Sequence, residues 1–396
     1  MRSATVSLTA RRNALFLLFA LPGVTIASWI TRTPDIRELL DAGPAVMGLV
    51  LAGLSIGSMA GILVSGPLMS RFGTRAVIQS GTVAVALGAV VVGVGSAAGL
   101  AWAASLGLCL FGLGMGGGEI ALNVEGAEME ALSGKSTLPA LHGFFSLGTV
   151  VGALAGMVLT AARVPVDIHL GVIGALVFAA LLLAIRHVPA QSRAERATTA
   201  AAGRPRGARV WRDPRLLLIG FVVLALAMAE GTANDWLPLI MVDGHGFSPT
   251  IGSGVYVAFA AAMTVGRLFG GTIVDRCGAA ITLGASAVVS AVGILLVSVI
   301  DAPAVAAAAV LLWGLGSALG FPVALSAARS SGADSSARVS LAATLGYVAF
   351  LVGPPALGFI GEQMGLRTAL LFVLGLVAAA VLACPAAVQR TATARR

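Results

Sequence analysis

Twelve separate runs of about 20 mostly apolar residues divide this chain, and that pattern leaves few folds open. A helix of that length crosses the hydrocarbon core of a bilayer. The expected spans are 13–31, 45–66, 76–95, 100–124, 137–161 and 166–186, then 215–240, 250–271, 279–299, 303–327, 339–360 and 366–387. The residues are 58% hydrophobic and only 11% charged, too few charges to cover a water-facing surface of this size. The mean hydropathy of +0.98 agrees. In lipid a backbone must bond to itself, so spans are helices or closed barrels. The alternating ten-residue segments of a barrel are missing, which predicts an all-α membrane protein. The first run, about Asn13 to Ile30, is long enough to span and lacks a small-residue cleavage site after it, so it reads as a span rather than a cleavable leader.

The net charge of +8 has a lopsided distribution. With the N-terminus inside, 20 of the 25 Lys and Arg residues fall on the cytoplasmic side. Only Arg32, Arg37, Arg163 and Arg367 fall outside, and Arg267 lies within a span. Basic residues concentrate in cytoplasmic loops, so both termini are placed inside the cell and the protein in the cell (inner or plasma) membrane. The same placement argues against a nucleic-acid groove. Between the sixth and seventh spans lies a stretch rich in Arg, Ala, Gly and Thr with no apolar period. It reads as a flexible cytoplasmic linker. The expected organisation is a six-helix bundle over 1–186, a linker over 187–214 and a second bundle over 215–396. Cys109, Cys277 and Cys384 are far apart and show neither disulfide nor metal-ligand spacing. No metal site and no cofactor are expected.

The two halves repeat each other. Gly61, Leu63, Gly66, Arg71 and Gly73 recur 205 residues later as Gly266, Leu268, Gly271, Arg276 and Gly278. Pro44 and Pro249 keep the same offset. Phe111-Gly112-Leu113-Gly114 recurs as Trp313-Gly314-Leu315-Gly316, and Trp29 of the first span has a counterpart in Trp236 of the seventh. A repeat of two pseudo-symmetric bundles with parallel orientation is a transporter plan, with the substrate path between the halves.

The segment Gly271-Thr272-Ile273-Val274-Asp275-Arg276-Cys277-Gly278 resembles the loop signature of the major facilitator superfamily, Gly-x-x-x-Asp-Arg-x-Gly. Its first-half copy, Gly66 to Gly73, keeps Arg71 but carries Ser70 in place of the acid. The resemblance implies a twelve-helix transporter in which Gly66, Arg71, Gly73, Gly271, Asp275, Arg276 and Gly278 serve gating or structure. Glycines in such a loop would let helices approach closely. More narrowly, Glu119-Ile120-Ala121-Leu122-Asn123 resembles the Glu-x-Ala-x-Asn of fucose-permease-like sugar/proton symporters. The acidic residue those permeases carry in the first span has no counterpart between Asn13 and Ile30. Gly143, Gly152 and Gly156 match the glycine spacing of an antiporter motif, with Met157 where its proline would stand.

A charged side chain at the bilayer centre costs roughly 2.5–3.5 kcal/mol, so polar residues in spans need a reason. Glu119 and Asn123 share a helix face, and Glu230 and Asn234 repeat the spacing beside Asp235 and Trp236. Gly231 is placed to break that helix into the irregular backbone of transporter cavities. These six, with His142 and Trp29, are the candidate substrate- and proton-binding residues. For Glu119 the alternative is a helix-packing hydrogen bond, for Asp235 an exposed outer position, for His142 a satisfied interior histidine, and for Trp29 interfacial anchoring. Pro34 should end or kink the first span, and Arg32 and Asp35 are candidates for an outer-gate pair. Arg267 is read as a structural partner for an acid. Glu125, Glu128 and Glu130 read as a solvated helix end.

These features predict a secondary active transporter working by alternating access, with proton-coupled symport of a polar, sugar-like substrate first and proton-driven efflux of amphiphilic compounds as the alternative. A membrane enzyme would show a phosphate-cradling loop, paired metal ligands or a nucleophile with a base, and the chain has none of these patterns. A sensor would carry a soluble signalling domain. The expected partners are a small-molecule substrate, protons and the lipid bilayer; the chain is read as a monomer.

Overall fold

A computed structural model describes residues 7–134, 137–190, 210–332 and 334–388. Most of the expected linker, 191–209, lies outside the described residues. Twelve helices are long and apolar enough to cross a membrane. Spans 1 to 6 are Leu8–Ile30, Pro44–Phe72, Thr74–Ala97, Ala101–Ser133, Ala140–Ala161 and Val166–Ile185. Spans 7 to 12 are Pro214–Gly244, Pro249–Cys277, Ala279–Val299, Pro303–Ser330, Ala337–Met364 and Leu366–Ala387. No strand occurs among the described residues. Large apolar side chains such as Leu63, Leu268 and Leu382 stand well exposed, as a lipid-facing surface requires.

Local rules set the helix ends. Pro44, Pro214 and Pro303 open helices at a first-turn position, where the missing N–H costs nothing. Span 1 stops at Ile30, and Pro34 falls in the first turn of a short helix, Thr33–Leu39. Spans 2 and 3 are joined through Gly73 (φ 87°), and spans 8 and 9 through Gly278 (φ 77°). Side-chain-bearing residues rarely adopt that conformation, which accounts for the repeated glycine at the end of the loop signature. Span 7 does not break at Gly231. It runs helical to Leu239 and changes to a π-helical turn only at Ile240–Gly244. The Phe350 ring packs over the Gly231 Cα, so the missing side chain makes room for span 11 instead.

The chain divides into two compact units, Met1–Arg204 with Ser248–Val257, and Pro205–Phe247 with Ala258–Arg396. In the first unit, glycines bring helix backbones into contact. A side chain at Gly53, Gly57 or Gly61 of span 2 would overlap the carbonyl oxygen of Ser105, Cys109 or Leu113 of span 4. Gly112 and Gly116 of span 4 press in return on the Leu54 and Ser58 carbonyls. Spans 1 and 5 lock the same way, with Gly148 and Gly152 against the Ala20 and Val24 carbonyls. Of the glycines that match the antiporter spacing, Gly152 makes this backbone contact, Gly156 lies against the Thr31 side chain, and a Cβ at Gly143 would meet nothing within 4 Å. Ser253 Oγ, in the stretch of span 8 belonging to this unit, lies 2.7 Å from the Thr31 carbonyl oxygen.

In the second unit a Cβ on Gly314 of span 10 would lie 2.7 Å from the Phe259 carbonyl oxygen of span 8, and one on Gly293 of span 9 would lie 2.5 Å from Trp313 N of span 10. Trp313 is fully buried and donates its Nε1–H to Ala229 O of span 7 at 3.1 Å. Asp213 caps the start of span 7, accepting from Arg215 N and Leu216 N. It also pairs with Arg338 of span 11 at 2.5 Å, and that guanidinium holds the Asp213 carboxyl below the usual carboxylate range.

Gly66 and Gly271, the opening glycines of the two loop signatures, correct one expectation. An added Cβ would meet nothing within 4 Å at either position, so they do not mediate close helix approach. The contrast with Gly57 gives a direct test. Gly57→Ala forces spans 2 and 4 apart and should lower stability by about 1–3 kcal/mol, while Gly66→Ala should leave it within about 0.5 kcal/mol. Thermal unfolding of the two purified variants in detergent reads the difference, and equal midpoints would contradict the packing account.

Candidate functional site

The polar candidates of the first unit gather on spans 1, 4 and 5. Asn123 Oδ1 and His142 Nε2 are 3.0 Å apart, and the Nε2–H tautomer donates across the two spans. The His142 ring meets the edge of Phe19 at 5.4 Å between centroids. Phe16 and Phe144 form a second contact between spans 1 and 5, stacked at 4.4 Å. His142 and Glu119 are exposed and Asn123 is half-buried. One bonded polar pair therefore lies against the Phe19 ring, one helical turn from the Glu119 carboxylate.

Deeper in the same unit the structure overturns an expectation. Glu125 is not a solvated helix end: it is 1% exposed. Arg11 of span 1 reaches it with Nη2 at 2.5 Å and Nε at 2.7 Å, and also touches Glu128 at 3.0 Å. Thr74 Oγ1, at the start of span 3, completes the shell at 3.3 Å. Glu130 accepts from the backbone N–H groups of Thr137 and Leu138 and so shapes the turn into span 5. Only Glu128, at 45% side-chain exposure, matches the solvated reading. Sequence inspection missed this network because Arg11 and Glu125 lie 114 residues apart.

At the opposite end of the unit, Arg32 Nε lies 2.6 Å from Asp35 Oδ2, and Arg32 Nη2 donates to Val164 O at 2.7 Å. Burial dominates both groups: it raises the Asp35 carboxyl and lowers the Arg32 guanidinium against their mutual attraction. Trp29 is buried, with its Nε1–H unbonded among the described residues.

In the second unit Glu230 and Arg267 pair at 2.8 Å between spans 7 and 8, both partly shielded. Asn234 is half-buried on the same helix. Asp235 is 7% exposed and Trp236 1%, so neither occupies an open outer position. Of the loop signature, Asp275 and Arg276 are both exposed in the last turn of span 8. Arg71 is exposed too, with its guanidinium carbon 5.2 Å from the Phe72 ring centre. The described residues contain no group of three His, Cys, Asp or Glu side chains able to hold a metal ion.

Polar side chains held in pairs inside a twelve-helix membrane scaffold suit transport, and comparison with known proteins identifies the family. The Major Facilitator Superfamily sequence profile matches residues 14–340. The chain belongs to the Major Facilitator Superfamily. An uncharacterised MFS-type transporter of Yersinia pestis is 29% identical over 357 residues, covering 89% of each chain. Among solved structures, a point mutant of the nucleoside transporter NupG superposes with a TM-score of 0.76 at 15% identity, over 95% of this chain and 99% of that one. A point mutant of the Escherichia coli fucose:proton symporter FucP gives 0.66 at 18% identity, over 97% and 100%. At those identities the two structures speak for the fold. As a member of this superfamily the chain is a multi-pass membrane transporter.

The Arg11–Glu125 contact makes a checkable demand on this facilitator. Arg11→Leu leaves a buried carboxylate without its cation and should cost about 3–5 kcal/mol. Replacing both, as Arg11→Leu with Glu125→Leu, should recover most of that loss. A thermal-unfolding double-mutant cycle reads the recovery; additive losses would mean the two charges do not act on each other.

Proposed function

We propose that this facilitator imports a small polar, sugar-like solute together with protons, by alternating access across the cell membrane with both termini in the cytoplasm. The observation that supports this reading is the Asn123–His142 pair with the Phe19 ring against the imidazole, and the stacked Phe16 and Phe144 rings between the same two spans, 1 and 5. An amide and an imidazole offer donors and acceptors to hydroxyl groups. Flat rings cover the apolar face of a ring-shaped solute. Glu119 stands one turn from Asn123 as an ionisable neighbour. The Glu230–Arg267 pair gives the second unit a matched charge couple that can open to a polar solute without leaving a lone charge.

A thermal-shift screen of the purified protein against sugars, polyols, amino acids and amphiphilic cations is the first test, because a ligand stabilises the state it binds. A sugar or polyol should raise the unfolding midpoint, and Asn123→Ala should weaken its binding about 3- to 10-fold, the worth of one neutral hydrogen bond. In proteoliposomes an inward proton gradient should then drive accumulation of that compound. Shifts by amphiphilic cations alone, with proton-driven flux outward, would establish the efflux alternative.

A further inference from the structure

The internal repeat extends into the first span of each half. Thr25, Ser28 and Trp29 of span 1 stand 207 residues before Thr232, Asp235 and Trp236 of span 7. The scaffold Thr-x-x-polar-Trp is the same in both; the change is a hydroxyl in one half and a carboxyl in the other. The tryptophan Nε1–H is buried and unbonded in both copies, and the other two positions behave differently. In span 1, Thr25 donates to Leu21 O at 2.7 Å and Ser28 to Val24 O at 2.8 Å, so each hydroxyl is satisfied by its own helix. Hydroxyls at Thr82, Thr264, Ser298 and Thr344 do the same, whereas the Thr160 hydroxyl, at the end of span 5, is buried without a partner among the described residues. In span 7, Thr232 is 2% exposed and its hydroxyl bonds to nothing among the described residues. Trp236 Nε1 is buried and unbonded as well.

Asp235 lies between them with neither a hydrogen bond nor a counter-charge among the described residues. Of the cations on the elements packed against span 7, Arg329 is exposed in the last turn of span 10, and Arg215, in the first turn of span 7 itself, donates to Ala386 O; three others are paired with acids. Arg267 of span 8 pairs with Glu230, Arg338 of span 11 with Asp213, and Arg367 at the start of span 12 with Asp301. His245, just past the end of span 7, is held through Nε2 by Val297 O at 3.0 Å. Glu230, the other acid of this helix, has its charge answered by Arg267. Thr232, Asp235 and Trp236 are spaced three and four residues apart, so they share one helix face. A buried polar group without a partner is costly, and a lone carboxylate most of all. A row of three on one helix face, built from a repeat whose other copy satisfies its hydroxyls, marks a face that receives something.

We propose that the Thr232–Asp235–Trp236 face of span 7 is the proton-loading site of this transporter, with Asp235 as the carboxyl that carries the coupled proton. A proton answers the requirement directly: it removes the uncompensated charge and turns Asp235 into a donor. The proposal rests on the proton-coupled reading above and moves the coupling group from Glu119, which is exposed in span 4, to Asp235.

The test needs no knowledge of the solute. Dicyclohexylcarbodiimide partitions into bilayers and reacts with carboxyl groups in their protonated form, leaving a stable acylurea. Full-length protein in proteoliposomes is treated across a pH series and mapped by peptide mass spectrometry. The adduct should appear on Asp235, decline as the pH is raised, and be lost in Asp235→Asn. It should persist on Asp235 in Glu119→Gln, and Asp235→Glu should carry it on the new carboxyl. Unfolding midpoints of the variants verify that each is folded. Adducts confined to other carboxyls, or labelling of Asp235 that ignores pH, would overturn the proposal. Proton-independent accumulation of the sugar or polyol found by the thermal-shift screen, a separate measurement on the wild-type protein, would instead defeat the coupled-symport reading, so the two failures are distinguishable.

Discussion

Backbone-to-backbone contact through glycine is the interaction on which the rest of this structure depends. Between helices in lipid there is little hydrophobic force, because acyl chains are as apolar as leucine. Association then rests on dispersion, which grows as the backbones draw near. The reciprocal contacts of Gly53, Gly57 and Gly61 with span 4, and of Gly112 and Gly116 with span 2, bring two helices as close as their carbonyls permit. Spans 1 and 5 follow the same rule through Gly148 and Gly152. The helices of the first unit are thereby held in fixed register. That register places Asn123 against His142 and Arg11 against Glu125.

Against that packed background, the treatment of polar groups sorts structural residues from functional ones. Most are satisfied locally: hydroxyls return to their own helix, Arg11 answers Glu125, Arg32 answers Asp35, and Arg267 answers Glu230. Removing one member of a buried pair exposes the full desolvation cost of the other, so these pairs hold helices in place. The face of span 7 departs from that rule. Buried groups without a hydrogen-bond partner among the described residues also occur at Trp29, Thr160 and His169, but span 7 sets Thr232, Asp235 and Trp236 together on a single face.

Much of the fold was legible because its signals are local. Twelve spans follow from hydropathy alone, and Gly73 and Gly278 could be placed at the chain reversals from the repeat of the loop signature. The glycine role was half legible. Spacing showed that glycines matter, but not that Gly61 contacts a neighbouring backbone while Gly66 faces open space. The site was harder to read, because its pairings cross helices. Asn123 meets His142 at a separation of 19 residues, Glu230 meets Arg267 at 37 and Arg11 meets Glu125 at 114. No single-helix period encodes such distances. For that reason Glu125 looked solvated, although Gly126 beside it leaves room for the Leu138 and Leu141 side chains of the helix that follows.

In the alternating-access reading proposed above, two internally rigid units carry the polar faces and move as bodies. Pulsed electron-spin distance measurements test it most directly, in a variant whose three native cysteines are replaced. Label pairs at the exposed positions Leu39 and Leu100 report on the first unit, and pairs at Val299 and Met364 on the second. A pair at Leu100 and Met364 reports across them. The account predicts one unchanging distance within each unit and two populations across them, whose ratio shifts with pH. Distances that vary within a unit while the cross-unit distance stays single would contradict it.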